Sequence, residues 1–186
     1  MTAFLADQNV SLRGMRRADL DLYRNWIDNA DVTRFMEMGW RPCSDADLEK
    51  TYLEATQAPD TVCMVIEEGS SGAAIGTCGL YLINWPGRRA QFRILIGDPR
   101  LFGKGYGTSA TRLIVRYGFE RLNLETIYLG VNDENRGAVR AYEKAGFQID
   151  GVQPHFVFNN GRYYDSVMMS ITCDRYLASI GGASRA

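Results

Sequence analysis

Between residues 90 and 122 the chain passes from an apolar run, through Arg100-Leu101-Phe102-Gly103-Lys104-Gly105-Tyr106-Gly107-Thr108, into a stretch with helical periodicity. Three glycines at alternate positions directly before a helix describe a backbone that must come very close to something. Glycine has no Cβ and tolerates positive φ, so such a loop can curl with its N–H groups turned inward. The first N–H groups of a helix have no intrahelical partner, and the helix dipole adds partial positive charge there. A phosphate or pyrophosphate suits that place.

The loop alone is also compatible with a plain connection into a helix. Lys104 is followed by Gly105, which breaks the Gly-Lys-Ser/Thr ending of a nucleotide-triphosphatase loop, and Gly103-x-Gly105-x-Gly107 breaks the dinucleotide spacing. Downstream, Thr126–Val131 reads as a short buried strand. Asn135 then caps a short helix that stops at Gly146. Asn135, Ala138 and Tyr142 fall at i, i+3 and i+7 and project from one helix face, as a ligand lying along the helix requires.

Taken together, Arg100-x-x-Gly103-x-Gly105 and Asn135-x-x-Ala138-x-x-x-Tyr142-x-x-x-Gly146-Phe147 resemble the acetyl-CoA signature of the GNAT superfamily of N-acetyltransferases. Val10–Arg13 with Ala18–Leu22 and Trp26 is similar to the opening strand and helix. Asn160–Asp165 with Val167–Ile171 resembles the closing hairpin of the ribosomal-protein-alanine and spermidine acetyltransferase branches. The resemblance implies an acetyl-CoA-dependent N-acetyltransferase. Arg100, Gly103, Lys104, Gly105, Tyr106, Gly107 and Thr108 would cradle the pyrophosphate. Leu95, Ile96 and Gly97, with Asn132, Asn135, Ala138 and Tyr142, would line the rest of the cofactor.

The element order gives an α+β, mixed α/β fold. Strands are expected over 11–15, 62–67, 74–83, 90–97 and 126–131, followed by a hairpin turning at Asn159-Asn160-Gly161. Helices are expected over 19–26, 45–55 and 107–122, then the short one, with Ala110, Leu113, Ile114 and Tyr117 as the core stripe of the third. That makes six to seven strands, mostly antiparallel, flanked by about four helices. By resemblance, the fourth and fifth strands run parallel and splay into a cofactor notch, with Gly97 and Pro99 ending the fourth. One domain is expected over 1–186, frayed from about 180.

With 186 residues, 46% of them hydrophobic, the chain can bury a sizeable core, and no apolar run approaches a membrane span. Met1–Val10 does not read as a signal peptide. Four scattered cysteines and a single histidine argue against zinc or a disulfide framework and toward a reducing cytoplasm, with Cys63 and Cys78 as small core residues. A net charge of −1 argues against nucleic acid, and the basic side chains Arg112, Arg116 and Arg121 are assigned to the CoA phosphates. The expected partner is a small-molecule amine or a peptide N-terminus, in a chain that can form a homodimer.

The chemistry constrains the remaining roles. An attacking amine must shed a proton, and alkyl amines titrate near about 10. The thioester oxygen needs donors, and the leaving thiolate needs an acid. Tyr142 is the expected acid, and a backbone N–H near Leu95 or Ile96 the expected donor. Many members of the family that it resembles carry Glu on the fourth strand where this chain has Gln91, an amide that cannot take up a proton. His155, acting through water, is the remaining candidate base. Arg93, on the same strand face as Gln91, would repel a cationic amine and favour an acceptor carrying an anion, such as a nucleotide amino sugar. Against this, residues 28–60 hold eight acidic side chains and three basic ones, which suits a polyamine. Trp26, Phe35, Glu37 and Trp85, with Trp40 and Phe156, are candidate acceptor contacts. A CoA-binding module without turnover is the alternative.

Overall fold

A computed structural model of the chain describes residues 3–159 and 161–181. Eight strands are present there: β1 (Leu5–Ala6), β2 (Val10–Gly14), β3 (Val62–Glu68), β4 (Ala74–Asn84), β5 (Arg89–Ile96), β6 (Thr126–Asn132), β7 (Gln148–Asn159) and β8 (Arg162–Thr172). They form one sheet in the order β1-β2-β3-β4-β5-β6-β8-β7. The β5–β6 pair is parallel, and every other neighbouring pair is antiparallel. The mixed, mostly antiparallel fold is thus as expected, with one strand more because Leu5–Ala6 adds to the edge of β2. Asn160, expected in the last turn, lies outside the described residues, as do 182–186 of the expected frayed tail.

The six described helices are α1 (Leu20–Ile27), α2 (Ala30–Thr33), α3 (Asp45–Gln57), α4 (Tyr106–Glu120), α5 (Arg136–Lys144) and α6 (Cys173–Gly181). α3 starts where Ser44 accepts the Asp47 N–H at 3.2 Å while the Asp47 carboxylate accepts the Ser44 N–H at 3.0 Å, a reciprocal cap. α5 starts where the Asn135 side chain accepts the Ala138 N–H at 3.1 Å. α4 lays Ala110, Leu113 and Ile114 against Leu80, Ile127 and Leu129 of the sheet, all buried. Burying each of these aliphatic side chains contributes about 1.5–3 kcal/mol. Tyr117, the fourth member of the expected stripe, is half-buried and meets the Phe4 ring edge-on at 5.5 Å.

The helices divide between two faces of the sheet. On one face α4, α5 and α6 cover the large core cluster, which includes Ala90, Phe92, Ile94 and Ile96 of β5. On the other, α1 and α2 cover Leu95 through Trp26, Ile27 and Val32. Arg13 of β2 pins the start of α1 to this face: its fork grips the buried Asp19 at 2.7 and 2.8 Å, and its Nε donates to Glu67 of β3 at 2.6 Å. The cysteines carry free thiols, and Cys63 and Cys78 are buried in the sheet as expected.

The parallel pair is short. β5 and β6 align only as Arg89↔Thr126, Ala90↔Ile127 and Gln91↔Tyr128, although both strands continue. Phe92–Ile96 stays paired with β4 while 129–132 stays paired with β8, so the two strands part and a notch opens between them. The parting begins at Gln91, earlier than Gly97 and Pro99 mark it in the sequence.

Gly97 has a different task. A Cβ built on it would lie 2.3 Å from three atoms of the Trp26 indole, so α1 rests directly on that backbone. Trp26 itself is 7% exposed, a core residue rather than a wall of an acceptor site. Gly97→Ala is expected to lower unfolding stability by about 1–3 kcal/mol through overpacking. The check is urea denaturation of the variant beside a Gly14→Ala control, whose added Cβ meets nothing within 4 Å.

Candidate active site

The glycine loop follows β5 through a short 3₁₀ turn. Gly103 and Gly105 have φ of +74° and +90°, and Gly105 is the N-cap of α4, with no side chain capping the helix. The amides of its first turn are therefore left for a ligand. Tyr106, the first helical residue, turns its hydroxyl away to hydrogen-bond Glu68 at the end of β3. That bond holds the Glu68 carboxyl below its ordinary range and raises the phenol. Arg100 is bound to Asp98, its guanidinium donating at 2.7–3.1 Å and remaining exposed. Arg112, assigned from sequence to a phosphate, donates instead to the Lys144 carbonyl at 2.8 and 3.3 Å, tying α4 to α5.

A cavity of about 430 Å³ opens beside this loop. Gly103, Gly105, Gly107 and Thr108 form one wall, and Asn135, Ala138 and Tyr142 of the α5 segment form another. Ile94 and Ile96 of β5 lie between them. The far end is made by Asp31, Val32, Phe35 and Met36, in and just after α2. α2 sits on the opposite face of the sheet from α5, so the cavity runs through the sheet at the notch.

Strand alternation decides which amides face that notch. The Gly97 N–H donates to the Ile75 carbonyl of β4 at 2.8 Å. N–H groups alternate in side along a strand, so Leu95 also points at β4 while Ile94 and Ile96 point into the opening. Leu95, expected as a donor, is thus engaged elsewhere, and its side chain is buried against α1 and α2. Across the notch, Asn132 is 3% exposed, and its Oδ1 accepts the Glu134 N–H at 3.0 Å. Its Nδ2 has no partner among the described residues. A buried donor left unpaired costs about 1–3 kcal/mol; Asn132, expected as a cofactor contact, is not among the residues that line the cavity.

Tyr142 packs on Phe92 and Phe147, each with ring centroids 6.0 Å away. Burial pushes its phenol well above the ordinary value, so it stays protonated at working pH. Gln91 and Arg93 stand on the other face of β5. The Gln91 Oε1 accepts from Arg93 Nε at 3.0 Å and Nη2 at 2.7 Å, and the guanidinium lies over the Tyr81 ring at 4.8 Å.

Several expected residues are not gathered here. His155 sits on β7 with φ +50°, its backbone N–H bonded to Asp165 at 2.9 Å. β8 separates it from β6, which puts it two strand spacings away, roughly 10 Å. Trp85 is in the β4–β5 turn with its indole donating to the Pro59 carbonyl. Lys104 and Glu37 are exposed beside the cavity-lining stretches and do not themselves line it. Sequence reasoning missed Gly137, Arg140, Ala141 and Lys144, which line the cavity from α5. Their spacing of i, i+3, i+4 and i+7 continues the face already marked by Ala138 and Tyr142, a signal that was available. Among the described residues no group of three or more His, Cys, Asp or Glu is placed to hold a metal ion, and no helix is long and apolar enough to cross a membrane.

Comparisons with known proteins agree on one family. Residues 9–148 match the model of the acetyltransferase (GNAT) domain. The chain is 34% identical over 178 residues to the spermidine N(1)-acetyltransferase of Escherichia coli K12, covering 91% of this chain and 89% of that protein. It is 27% identical over 157 residues to the aminoglycoside N(6')-acetyltransferase type 1 of Klebsiella pneumoniae, covering 78% and 77%. A crystal structure of spermidine N-acetyltransferase from Vibrio cholerae in complex with CoA and spermine superposes with a TM-score of 0.83 at 32% identity, covering 92% and 99%.

A Cβ built at Gly103, Gly105 or Gly107 would meet nothing within 4 Å, although all three glycines line the cavity. A β-branched residue at any of them fills cavity space, and at Gly103 or Gly105 it also strains a positive φ. Gly105→Val is expected to remain folded and to weaken acetyl-CoA binding at least about tenfold, measured by titration calorimetry beside circular dichroism.

Proposed function

This chain belongs to the acetyltransferase (GNAT) family of acetyl-CoA-dependent N-acetyltransferases, and from that premise we propose that it acetylates a terminal primary amine of an aliphatic polyamine. The observation that carries the reading is the cavity through the sheet, with the phosphate cradle and Tyr142 on one face and the α2 segment on the other. A cosubstrate entering from the α4–α5 side meets an acceptor arriving from the α2 side. Asp31 lines the acceptor end, and Glu37 is on the loop that follows, so carboxylates are available to ammonium groups. The polyamine is supported by the names of relatives about one-third identical over nine-tenths of the chain. It displaces the nucleotide amino sugar favoured by Arg93 alone.

When bound, acetyl-CoA supplies an acyl thioester. The chain orients it through the loop amides and offers the Ile94 and Ile96 N–H groups to an oxygen that gains negative charge. As the new C–N bond forms and the C–S bond breaks, Tyr142 gives its proton to the departing sulfur, and the nitrogen releases its extra proton to water. Gln91 takes no proton, because its oxygen is committed to Arg93 and an amide is no base at working pH.

Self-association is a further part of this reading. β7 is the edge of the sheet and exposes Ile149, Val152, Phe156 and Phe158. A spermidine N-acetyltransferase from Vibrio cholerae, 32% identical, has a dodecameric structure. An oligomer, not specifically the homodimer expected from sequence, fits both facts.

A thiol-release assay across spermidine, spermine, monoamines, amino sugars and N-terminal peptides tests the acceptor. Spermidine or spermine is expected to give the highest kcat/KM. Silence across the panel with acetyl-CoA binding intact would instead identify a binding module without turnover. Tyr142→Phe keeps the ring packing and removes the proton, so kcat is expected to fall by roughly 10²-fold with acetyl-CoA affinity nearly unchanged. Stopped-flow turnover together with calorimetry separates the two effects.

A further inference from the structure

From Gly103 to Gly105 the cradle has little of its own to hold it. A Cβ built at either glycine would meet nothing within 4 Å, and Lys104 between them is exposed. Both glycines have positive φ, a conformation that glycine reaches without strain and leaves as easily. Upstream, the turn before the loop is closed by Asp98, whose Oδ1 accepts the Arg100 N–H at 2.9 Å. Downstream, Tyr106 stands between the cavity-lining Gly105 and Gly107 without lining the cavity itself. Its hydroxyl donates to Glu68 at the end of β3.

The far side of that bond is well anchored. Glu68 opens the turn from β3 into β4: its N–H donates to the Ala73 carbonyl and its carbonyl accepts the Gly72 N–H, both at 2.8 Å. One carboxylate oxygen accepts the Ser71 hydroxyl at 2.7 Å, and the other accepts the Tyr106 hydroxyl. This turn rests on the turn between β1 and β2, where the Gly69 N–H donates to the Asn9 carbonyl at 2.8 Å. A Cβ on Gly69 would lie 2.9 Å from that carbonyl oxygen, so backbone meets backbone at the corner. Asn9 also donates from Nδ2 to the Ser109 hydroxyl at 2.9 Å, three residues further along α4. The Tyr106 ring packs against the main core while its hydroxyl carries the bond, and a charged acceptor makes such a bond stronger than a neutral one.

We infer that the Tyr106–Glu68 bond is a latch that presets the pyrophosphate cradle, fixing the first turn of α4 against the β3–β4 corner so that Gly105 and Gly107 stand in binding geometry before acetyl-CoA arrives. This rests on the acetyl-CoA reading above. Both are positioning residues, acting through the backbone between them and the ligand. Without the latch the loop is ordered only at the moment of binding, and that ordering is subtracted from the affinity. In acetyl-CoA the whole pantetheine arm separates the pyrophosphate from the thioester. The loss is therefore one of uniform binding, which raises KM and spares kcat. A donor without the pyrophosphate gains nothing from the latch.

Calorimetric titration of the full chain with acetyl-CoA reads the latch directly. Tyr106→Phe keeps the ring and loses the hydroxyl, Glu68→Ala loses the acceptor, and each is expected to raise the Kd about five- to tenfold. The double variant should bind no more than about twofold weaker than either single one, because both break the same bond. Glu68→Gln retains an acceptor oxygen and should recover most of the loss, which keeps the test decisive if Glu68→Ala folds poorly. Donor selectivity gives the second reading, with the best acceptor from the panel. The ratio of kcat/KM for acetyl-CoA to that for acetylpantetheine should fall about five- to tenfold in Tyr106→Phe, with kcat for acetyl-CoA within about twofold of wild type. Wild-type affinity in Tyr106→Phe overturns the inference, as do losses that multiply in the double variant. An equal fall for both donors overturns it too, since that marks a merely structural role. If the wild type does not bind acetyl-CoA, the reading beneath the latch falls and the latch with it. If it binds but acetylates nothing, only the acetyl-transfer reading falls, and the calorimetry decides the latch.

Discussion

Three residue pairs, Arg89↔Thr126 to Gln91↔Tyr128, are all the parallel pairing that joins the two halves of this sheet. Beyond them each strand is held from outside, β5 by β4 and β6 by β8, so the backbone groups facing the gap have no strand to meet. Unpaired strand edges inside a protein are costly unless something covers them. Here they border a cavity whose other walls are the N-terminus of α4 and one face of α5. The split therefore makes the site, and the glycine loop, the α5 face and the α2 segment are arranged around it.

The period of a strand then sorts the chemistry. On β5 the side chains of Phe92, Ile94 and Ile96 point toward α4 and α5, and those of Gln91, Arg93 and Leu95 toward the α1–α3 side. Their amides alternate as well, so Ile94 and Ile96 offer both an apolar wall and a donor to the notch. Tyr142 lines the cavity from the α4–α5 face, while Arg93, on the other face, is bonded back to Gln91 and lies over Tyr81. Gly97 ends this strand under Trp26, and that contact seats α1, from which the chain runs into the α2 segment that lines the far end of the cavity.

Much of this was legible in the amino-acid sequence, for definite reasons. Alternation gave the central strands, and periodicity gave α4. Capping residues at Ser44 and Asn135 gave the starts of α3 and α5. What escaped was short or depended on distant contacts. β1 is two residues long, and α2 is a single turn capped by Asn29, so neither carries a period. α6 follows β8 with no turn residue between them. Among site residues, the cradle glycines, Asn135, Ala138 and Tyr142 were read correctly as neighbours because each group is local in sequence. Trp26, Trp85 and His155 were not, because an aromatic or imidazole side chain looks the same in sequence whether a core, a turn or a ligand takes it. Arg93 was noticed as a charge. Its attachment to Gln91 and Tyr81 became visible only with the strands in register.

If the parted edge of β5, and not merely the loop before α4, receives the acetyl end of the cosubstrate, its amides respond when the cosubstrate binds. Residue-resolved amide hydrogen exchange with and without saturating acetyl-CoA tests it most directly. The Ile94 and Ile96 amides, which face the notch, should gain protection, while Leu95, already turned toward β4, should change little. Protection confined to Gly103–Thr108, with Ile94 and Ile96 exchanging as in the free protein, would contradict the account.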